Sequence, residues 1–444
     1  MLRVLYRRVA GLDVHKKTVT ATRMRVDEEE RLYWETKTFD TMTPELLILH
    51  DWLMEWECSH VAIESTGDYW KPIFNVLEDA FEIYLVNAKH VKHVPGRKTD
   101  AIDSEWLAEL MVHGLLKPSF IPPKPQRALR ELTRYRTKLV EEHSRTVNRV
   151  HKLLEGANIK LSSVASDIMG VSGRAILAAL CEGRLSPHRM ARLAKGRLRN
   201  KIPDLEKALT GIVDPHHRFL LSHQLAHIDF LDEQIAAIGN EIGSQLERMG
   251  TISEPPASDA NGKEEEEHTP QSSSLPLTWQ EAVALLDTIP GVNTRIAEVI
   301  LAEMGLDMTR FPSDKHLAAW AGVAPGNHES AGKRYSGRRR KGNRYLSAIL
   351  VEAAWSAVRT KNTFLKARYH RLAARRGKTR AIVAVAHSML VSAWHMLTYR
   401  QPYQELGHDF LDQRRKESKI RYFTRQLEKL TGGSVSVELQ PYTV

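Results

Sequence analysis

Hydrophobic and polar residues alternate with a period of two along Thr18-Val19-Thr20-Ala21-Thr22, the mark of a half-buried strand. Three strands are predicted at the start of the chain, over residues 9–14, 18–26 and 31–39, with the acidic run 27–30 as a hairpin turn. Thr43-Pro44-Glu45 then opens a helix, with threonine as N-cap and proline at the first helical position. Leu46, Leu47, Leu49, Trp52, Leu53 and Trp56 supply its apolar face. A strand at 60–64, a helix at 69–80, a strand at 81–86 and a helix entered through Asp100 complete the order β-β-β-α-β-α-β-α. A meander followed by βα units predicts a mixed α/β sheet, and sites in open sheets of this kind lie beyond the strand ends.

Past the break at Pro122-Pro123-Lys124-Pro125 the period changes. Leu129, Leu132, Leu139, Val147, Val150 and Leu154 fall mostly at three- and four-residue steps or their multiples, which predicts a long helix that also carries Arg127, Arg130, Arg134, Arg136 and Lys138. Leu221, Leu225, Ile228, Leu231, Ile235, Ile238 and Ile242 mark a second helix at near-heptad spacing. The two are expected to pair as an antiparallel coiled coil or to meet a partner subunit, with a mixed helical insert of no evident chemistry at 160–215. Residues 251–277, with Pro255-Pro256, Asn261-Gly262 and four consecutive glutamates, hold too few apolar side chains for a core and read as a flexible acidic linker. Helices at 279–287 and 294–304 then flank Ile289-Pro290-Gly291-Val292-Asn293, the form of a helix-hairpin-helix whose turn offers backbone N–H groups to a phosphate. A glycine turn between two packed helices is the alternative. Asn293 stands where a second glycine is usual, and asparagine tolerates a left-handed turn. Helices at 345–360 and 382–396 complete a mostly α core. The organisation is a sheet domain at 6–118, a helical coiled-coil region at 119–250, the linker at 251–277, a mostly α domain at 278–405 and a polar, partly helical tail at 406–444.

At 444 residues there is chain enough for two or three cores. No apolar run approaches the roughly 20 residues of a membrane helix, and the N-terminus lacks a signal-peptide pattern, so neither a membrane protein nor an exported one is expected. Cys58 and Cys181 show no metal spacing, which suits a reducing cytosol; His15 and His216-His217 are expected on surfaces. The net charge of +10 is uneven. From Ser330 to Gln404 there are seventeen Lys or Arg against one acid, Glu352, a local charge of +16 that exceeds the whole chain's. A cationic field so concentrated suits a nucleic-acid backbone.

Candidate chemistry gathers in two places. In Lys98-Thr99-Asp100-Ala101-Ile102-Asp103-Ser104 two aspartates three residues apart leave one face of a helix mouth. Ordinary capping and dipole compensation account for that pair taken alone. Asp13, however, closes the first strand and Glu64 ends the fourth, and strand-end acids with a helical pair are what a two-metal phosphodiester site needs. The intervening loop supplies Lys92, Arg97 and Lys98, either to hold phosphates or as plain exposed cations. The second place is Ser330, flanked by small residues and followed by Lys333, Arg334, Arg338, Arg339, Arg340 and Lys341. That is the setting of a phosphoryl-accepting nucleophile with cations to neutralise the phosphate, and equally of an exposed serine in a basic loop.

Taken in series, these motifs resemble the DEDD transposases of the IS110-type insertion sequences, relatives of the Piv-type DNA invertases. The resemblance is carried by Gly11-Leu12-Asp13-Val14-His15-Lys16, Ile63-Glu64-Ser65-Thr66-Gly67, Lys98-Thr99-Asp100-Ala101-Ile102-Asp103, Ile289-Pro290-Gly291-Val292, and Ala321-Gly322-Val323-Ala324-Pro325 through Glu329-Ser330-Ala331-Gly332-Lys333-Arg334. It implies an RNase H-like (RuvC-like) N-terminal domain whose acids, here Asp13, Glu64, Asp100 and Asp103, hold divalent metal, Mg²⁺ or Mn²⁺. It implies a C-terminal domain whose serine, here Ser330, forms a covalent phosphoserine link to DNA. It further implies an active site shared between subunits, dimers paired into tetramers, and a structured noncoding bridge RNA that pairs with donor and target DNA. Lys92, Arg97, Lys98, Arg127, Arg130, Arg134, Gly291 and the cations after Ser330 are the expected nucleic-acid contacts. The expectation is a cytoplasmic, nucleoid-associated prokaryotic recombinase of a mobile element. A Holliday-junction-resolvase-like nuclease using water at the same acids is the alternative, and a non-catalytic nucleic-acid scaffold a third reading.

Overall fold

The computed structural model describes residues 3–64, 67–87, 103–250, 277–326, 328–330, 333–336, 339, 341–431 and 433–434. The chain divides into two compact units, Met1–Pro122 and Pro123–Val444.

In the first unit five strands form one mixed sheet: β1 (Arg8–Val14), β2 (Thr18–Val26), β3 (Leu32–Asp40), β4 (His60–Glu64) and β5 (Glu82–Val86). Their order is β3-β2-β1-β4-β5, with β1 antiparallel to β2 and parallel to β4. Such a mixed sheet, followed by a mostly helical remainder, matches the expected α/β domain and mostly α remainder. Because successive side chains on a strand face opposite ways, β1 divides its residues between two cores. Ala10, Leu12 and Val14 pack with Val61, Ile63 and the helices α1 (Thr43–Met54) and α2 (Trp70–Leu77). Val9 packs on the other face with Ala62, Val86 and α3 (Asp103–Val112). Met42 occupies the cap position of α1 and Thr43 is already helical, so Pro44 sits one place deeper than expected, still within the first turn where its missing N–H costs nothing.

In the second unit the long helices α4 (Lys124–Gly156) and α5 (Pro215–Gly250) pair within the chain. Gln245 Nε2 donates to the Pro125 carbonyl and His143 meets Asp232, so the helices run antiparallel. The short helices of the insert between them build their own core, with Leu161, Ile176, Leu177 and Leu205 against Val150, Leu154, Leu221 and Leu225. At the other end of the pair, Leu129, Ile242 and Leu246 join the core of α6 (Trp279–Asp287), α7 (Thr294–Met304), α8 (Asp314–Trp320), α9 (Arg344–Ala357), α10 (Phe364–Arg376) and α11 (Lys378–Tyr399). By length and composition α11 could cross a membrane, a correction to the expectation that no run is apolar enough. Its Ile382, Val385, Ala386, Met389 and Leu390 are buried in this core instead. A last helix, α12 (Phe410–Thr431), follows. Of the expected linker at 251–277, residues 251–276 lie outside the described residues.

Candidate functional site

The acid site is built by strand register and one close approach. Leu12 pairs with Ile63 across parallel strands, so Asp13 and Glu64 follow side by side at their carboxyl ends. By strand alternation both face the α3 side, with Val9, Gly11 and Ala62. Helix α3 runs opposite to β1, since the Leu5 and Tyr6 N–H groups donate to Val112 O at its far end. Gly11 lets it come near: a Cβ there would stand 2.5 Å from Ala108 N and 2.8 Å from Leu107 Cβ, and would overlap Ser104 O. The buried Thr22 hydroxyl bonds Ser104 Oγ at 2.8 Å and Thr36 Oγ1 at 2.8 Å, pinning the start of α3 to β2 and β3. Asp103, the first residue of α3 in the described structure, is thereby held beside the carboxyl ends of β1 and β4, where Asp13 and Glu64 emerge.

Three of the four expected ligands therefore share one face and one end of the sheet; Asp100 lies outside the described residues, as do Lys92, Arg97 and Lys98. The Asp13 side chain is 20% exposed and sits 3.2 Å from His15 Nε2. Carboxylates partly or fully exposed here offer hard oxygen donors, the type that suits a divalent cation. Among the described residues, the group of three whose ligand atoms all lie within 4.8 Å of one another is a different one, Asp214, His216 and His217. It stands at the N-terminal turn of α5, where the helix dipole opposes a cation, and the Asp214 N–H already donates to His217 Nδ1 at 3.2 Å. We assign it a capping role.

Ser330 ends a short strand, β6 (His328–Ser330), paired antiparallel with β7 (Lys333–Ser336). Its register partner is Lys333, which puts the serine at the tip of a hairpin opposite an exposed cation. The segment leaves the core at Gly322 and returns beside it: the Asn343 N–H donates to Trp320 O, and a Cβ on Gly342 would stand 2.5 Å from Ala321 C. Arg339 and Lys341 are exposed, the Arg334 backbone lies in β7, and Arg338 and Arg340 are outside the described residues.

The return point is held by a residue that the sequence did not single out. Glu303, in the apolar run at the end of α7, has a fully buried side chain. It accepts Asn343 Nδ2 at 2.6 Å, and Asn343 caps α9 through Leu346 N. Arg134 meets the same carboxylate through two bonds, 2.7 and 2.8 Å, and lies over the Tyr345 ring. Arg130 donates to the Ala302 and Glu303 carbonyls at the end of α7, where burial holds its guanidinium below the usual range against the pull of Glu303. Arg136 pairs with the buried Glu298 at 2.6 Å. Arg130 and Arg134 thus have partners inside the protein. The one clue in the sequence was a glutamate inside an otherwise apolar helix face.

The hairpin between α6 and α7 has Gly291 at φ +86°, packed so closely on α9 that a Cβ would stand 2.5 Å from Ala353 O. Asn293 does not use the left-handed turn that asparagine tolerates; at φ −122° it caps α7, its side chain accepting Ile296 N at 3.0 Å. Helix-to-helix packing thus accounts for the glycine.

Two family models match the chain. One, for the DEDD domain of IS110-type elements and described as "Transposase", covers residues 10–159; the other, "Transposase IS116/IS110/IS902 family", covers residues 283–370. The chain is 32% identical over 127 residues to "Transposase for insertion sequence element IS1111A" of Coxiella burnetii, covering 27% of this chain and 34% of that protein. It is 26% identical over 312 residues to "Putative transposase y4rJ" of Sinorhizobium fredii, covering 67% of this chain and 65% of that one. The chain thus spans about a third to just under two thirds of these relatives' length.

Proposed function

This chain belongs to the IS110-type transposase family, and from that premise we propose that it is the recombination enzyme of a mobile element, cutting and rejoining donor and target DNA through a phosphoserine at Ser330. The observation that carries this is the convergence of Asp13, Glu64 and Asp103 on one sheet face, in a chain that also bears a serine opposite a cation at a hairpin tip. With Asp100 they would hold Mg²⁺ or Mn²⁺, which supplies positive charge at the scissile phosphate.

The protein's own groups then divide the work. Ser330 Oγ forms a bond to phosphorus as a deoxyribose oxygen–phosphorus bond breaks. The serine proton passes to a carboxylate, and the departing sugar oxygen takes up a proton to become a hydroxyl. Lys333 and the arginines of the segment neutralise the phosphate during transfer. Rejoining is the reverse: a sugar hydroxyl attacks the phosphoserine, the new phosphodiester forms and the serine hydroxyl is restored. No bond energy is lost to water. The family resemblance extends the reading to a homo-oligomer guided by a structured RNA.

The test is to incubate the protein with RNA, DNA and Mg²⁺ and look for a protein–DNA adduct that survives denaturant. The adduct is expected with the native chain and absent in Ser330→Ala. An adduct that persists in Ser330→Ala defeats the serine assignment. Cleaved ends with no adduct in the native chain indicate attack by water instead.

A further inference from the structure

Helix α12 lies along α10 and encloses a groove of about 740 Å³ with it. Arg368, Arg371 and Arg375 line one wall; Arg414, Arg415 and Lys419 line the other, and no acid is among the lining residues. The helices are joined at the groove's edge, where Arg371 donates to Leu411 O at 3.1 Å and the Phe364 and Phe410 rings meet edge to face. Arg368 Nε is buried without a hydrogen-bond partner among the described residues. Tyr422 and Phe423, also lining the groove, are each 59% exposed.

A solvated cationic face has no need of this arrangement. Arg371 meets Asp412 at 3.6 Å, but the other five cations repel one another across a shared groove, and a buried guanidinium N–H without an acceptor costs stability. A polyanion seated there reverses the first term and supplies an acceptor for the second. Exposed rings beside the cations add what a lone phosphate has no use for, a stacking surface for unpaired bases. The groove lies beyond the matched family region except for Arg368, so it is a feature of this chain's own C-terminal segment.

We propose that this groove binds a single-stranded segment of nucleic acid, with phosphates on its arginines and lysine and bases stacked on Tyr422 and Phe423. The proposal goes beyond the recombinase reading and does not depend on the serine chemistry.

The test is fluorescence anisotropy of the full chain with labelled oligouridylate, labelled oligothymidylate and a mixed-sequence duplex across a salt series. Combining Arg414→Glu, Arg415→Glu and Lys419→Glu is expected to weaken single-strand binding by at least about tenfold. The logarithmic salt slope should flatten by about 2, at roughly 0.7 for each phosphate no longer neutralised. Tyr422→Ala with Phe423→Ala should weaken single-strand binding about tenfold and leave the duplex unaffected. A preference for the uridylate or the thymidylate strand identifies the source as RNA or DNA. Unchanged single-strand affinity and slope in the charge-reversed chain overturns the proposal, as does a shift in oligomeric state with strand binding intact, which assigns the groove to a protein partner. Adduct formation at Ser330 is followed in parallel. If the native chain forms the adduct but strand binding ignores the groove variants, the groove alone fails. If strand binding responds as expected but no adduct forms, the recombinase reading alone fails.

Discussion

The molecule contains two sets of carboxylates, and their surroundings are opposite. Asp13 and Glu64 are partly exposed and Asp103 is exposed, all at the carboxyl ends of inner strands, and Asp13 lies beside the solvent-exposed His15. Glu303 and Glu298 are buried, and arginines from α4 meet both. A buried carboxylate is tolerated only when its charge and lone pairs are satisfied within the protein, and the result is a strut. A carboxylate left near solvent, where other acids gather, can be reached by an ion. The same contrast applies to the cations. Arg130 and Arg134 look in sequence like part of a nucleic-acid face, yet they close off Glu303 and the end of α7.

The contrast can be broken in order of effect. Asp103→Asn should abolish strand cleavage in a gel assay, while nucleic-acid binding and thermal stability stay near native values, within about 0.5 kcal/mol. Full cleavage by that variant removes α3 from the metal site. Glu303→Ala should have the reverse signature. It leaves the largely buried Arg130 and the partly exposed Arg134 without their carboxylate and should cost about 3 kcal/mol in denaturant unfolding. If Arg134→Ala instead leaves stability unchanged and lowers DNA affinity, the strut reading is wrong. Gly11→Ala links the two signatures: crowding Ser104 and Ala108 should destabilise the first unit by about 1–3 kcal/mol and displace Asp103, so that stability and cleavage fall together. Thr278→Ala, which removes a complete capping box from α6, should cost about 1 kcal/mol and leave chemistry untouched.

The smallest effect is chemical. Burial pushes the Cys58 thiol up to about 12. At about pH 8 it stays protonated in the folded chain and should resist thiol reagents until the sheet unfolds, because only the thiolate attacks. Rapid labelling under native conditions would mean that the sheet opens locally.

Much of the first unit was legible as pattern. Alternation at Thr18-Val19-Thr20-Ala21-Thr22 gave β2, and short apolar runs gave β4, ending at Glu64, and β5. In the second unit, three- and four-residue steps gave the paired long helices. These are local signals, because an element's period is written in its own residues. The sequence also placed α6 and α7 to the residue, and their caps explain why: Thr278 and Asn293 each accept an N–H three residues on.

What stayed hidden depends on pairs far apart in the chain. Nothing in Gly11 alone says that Ser104 and Ala108 will rest on it, and nothing in Arg134 says that Glu303 will take both its N–H groups. A side chain's period fixes which way it faces. Its partner is fixed by packing that brings together residues far apart, 169 positions for Arg134 and Glu303. The sequence by itself determined the elements, the acids at the strand ends and the cationic excess around Ser330. Only the tertiary structure decided which acids share a face and which cations are already spent, because burial and proximity are properties of the folded chain and not of any segment of it.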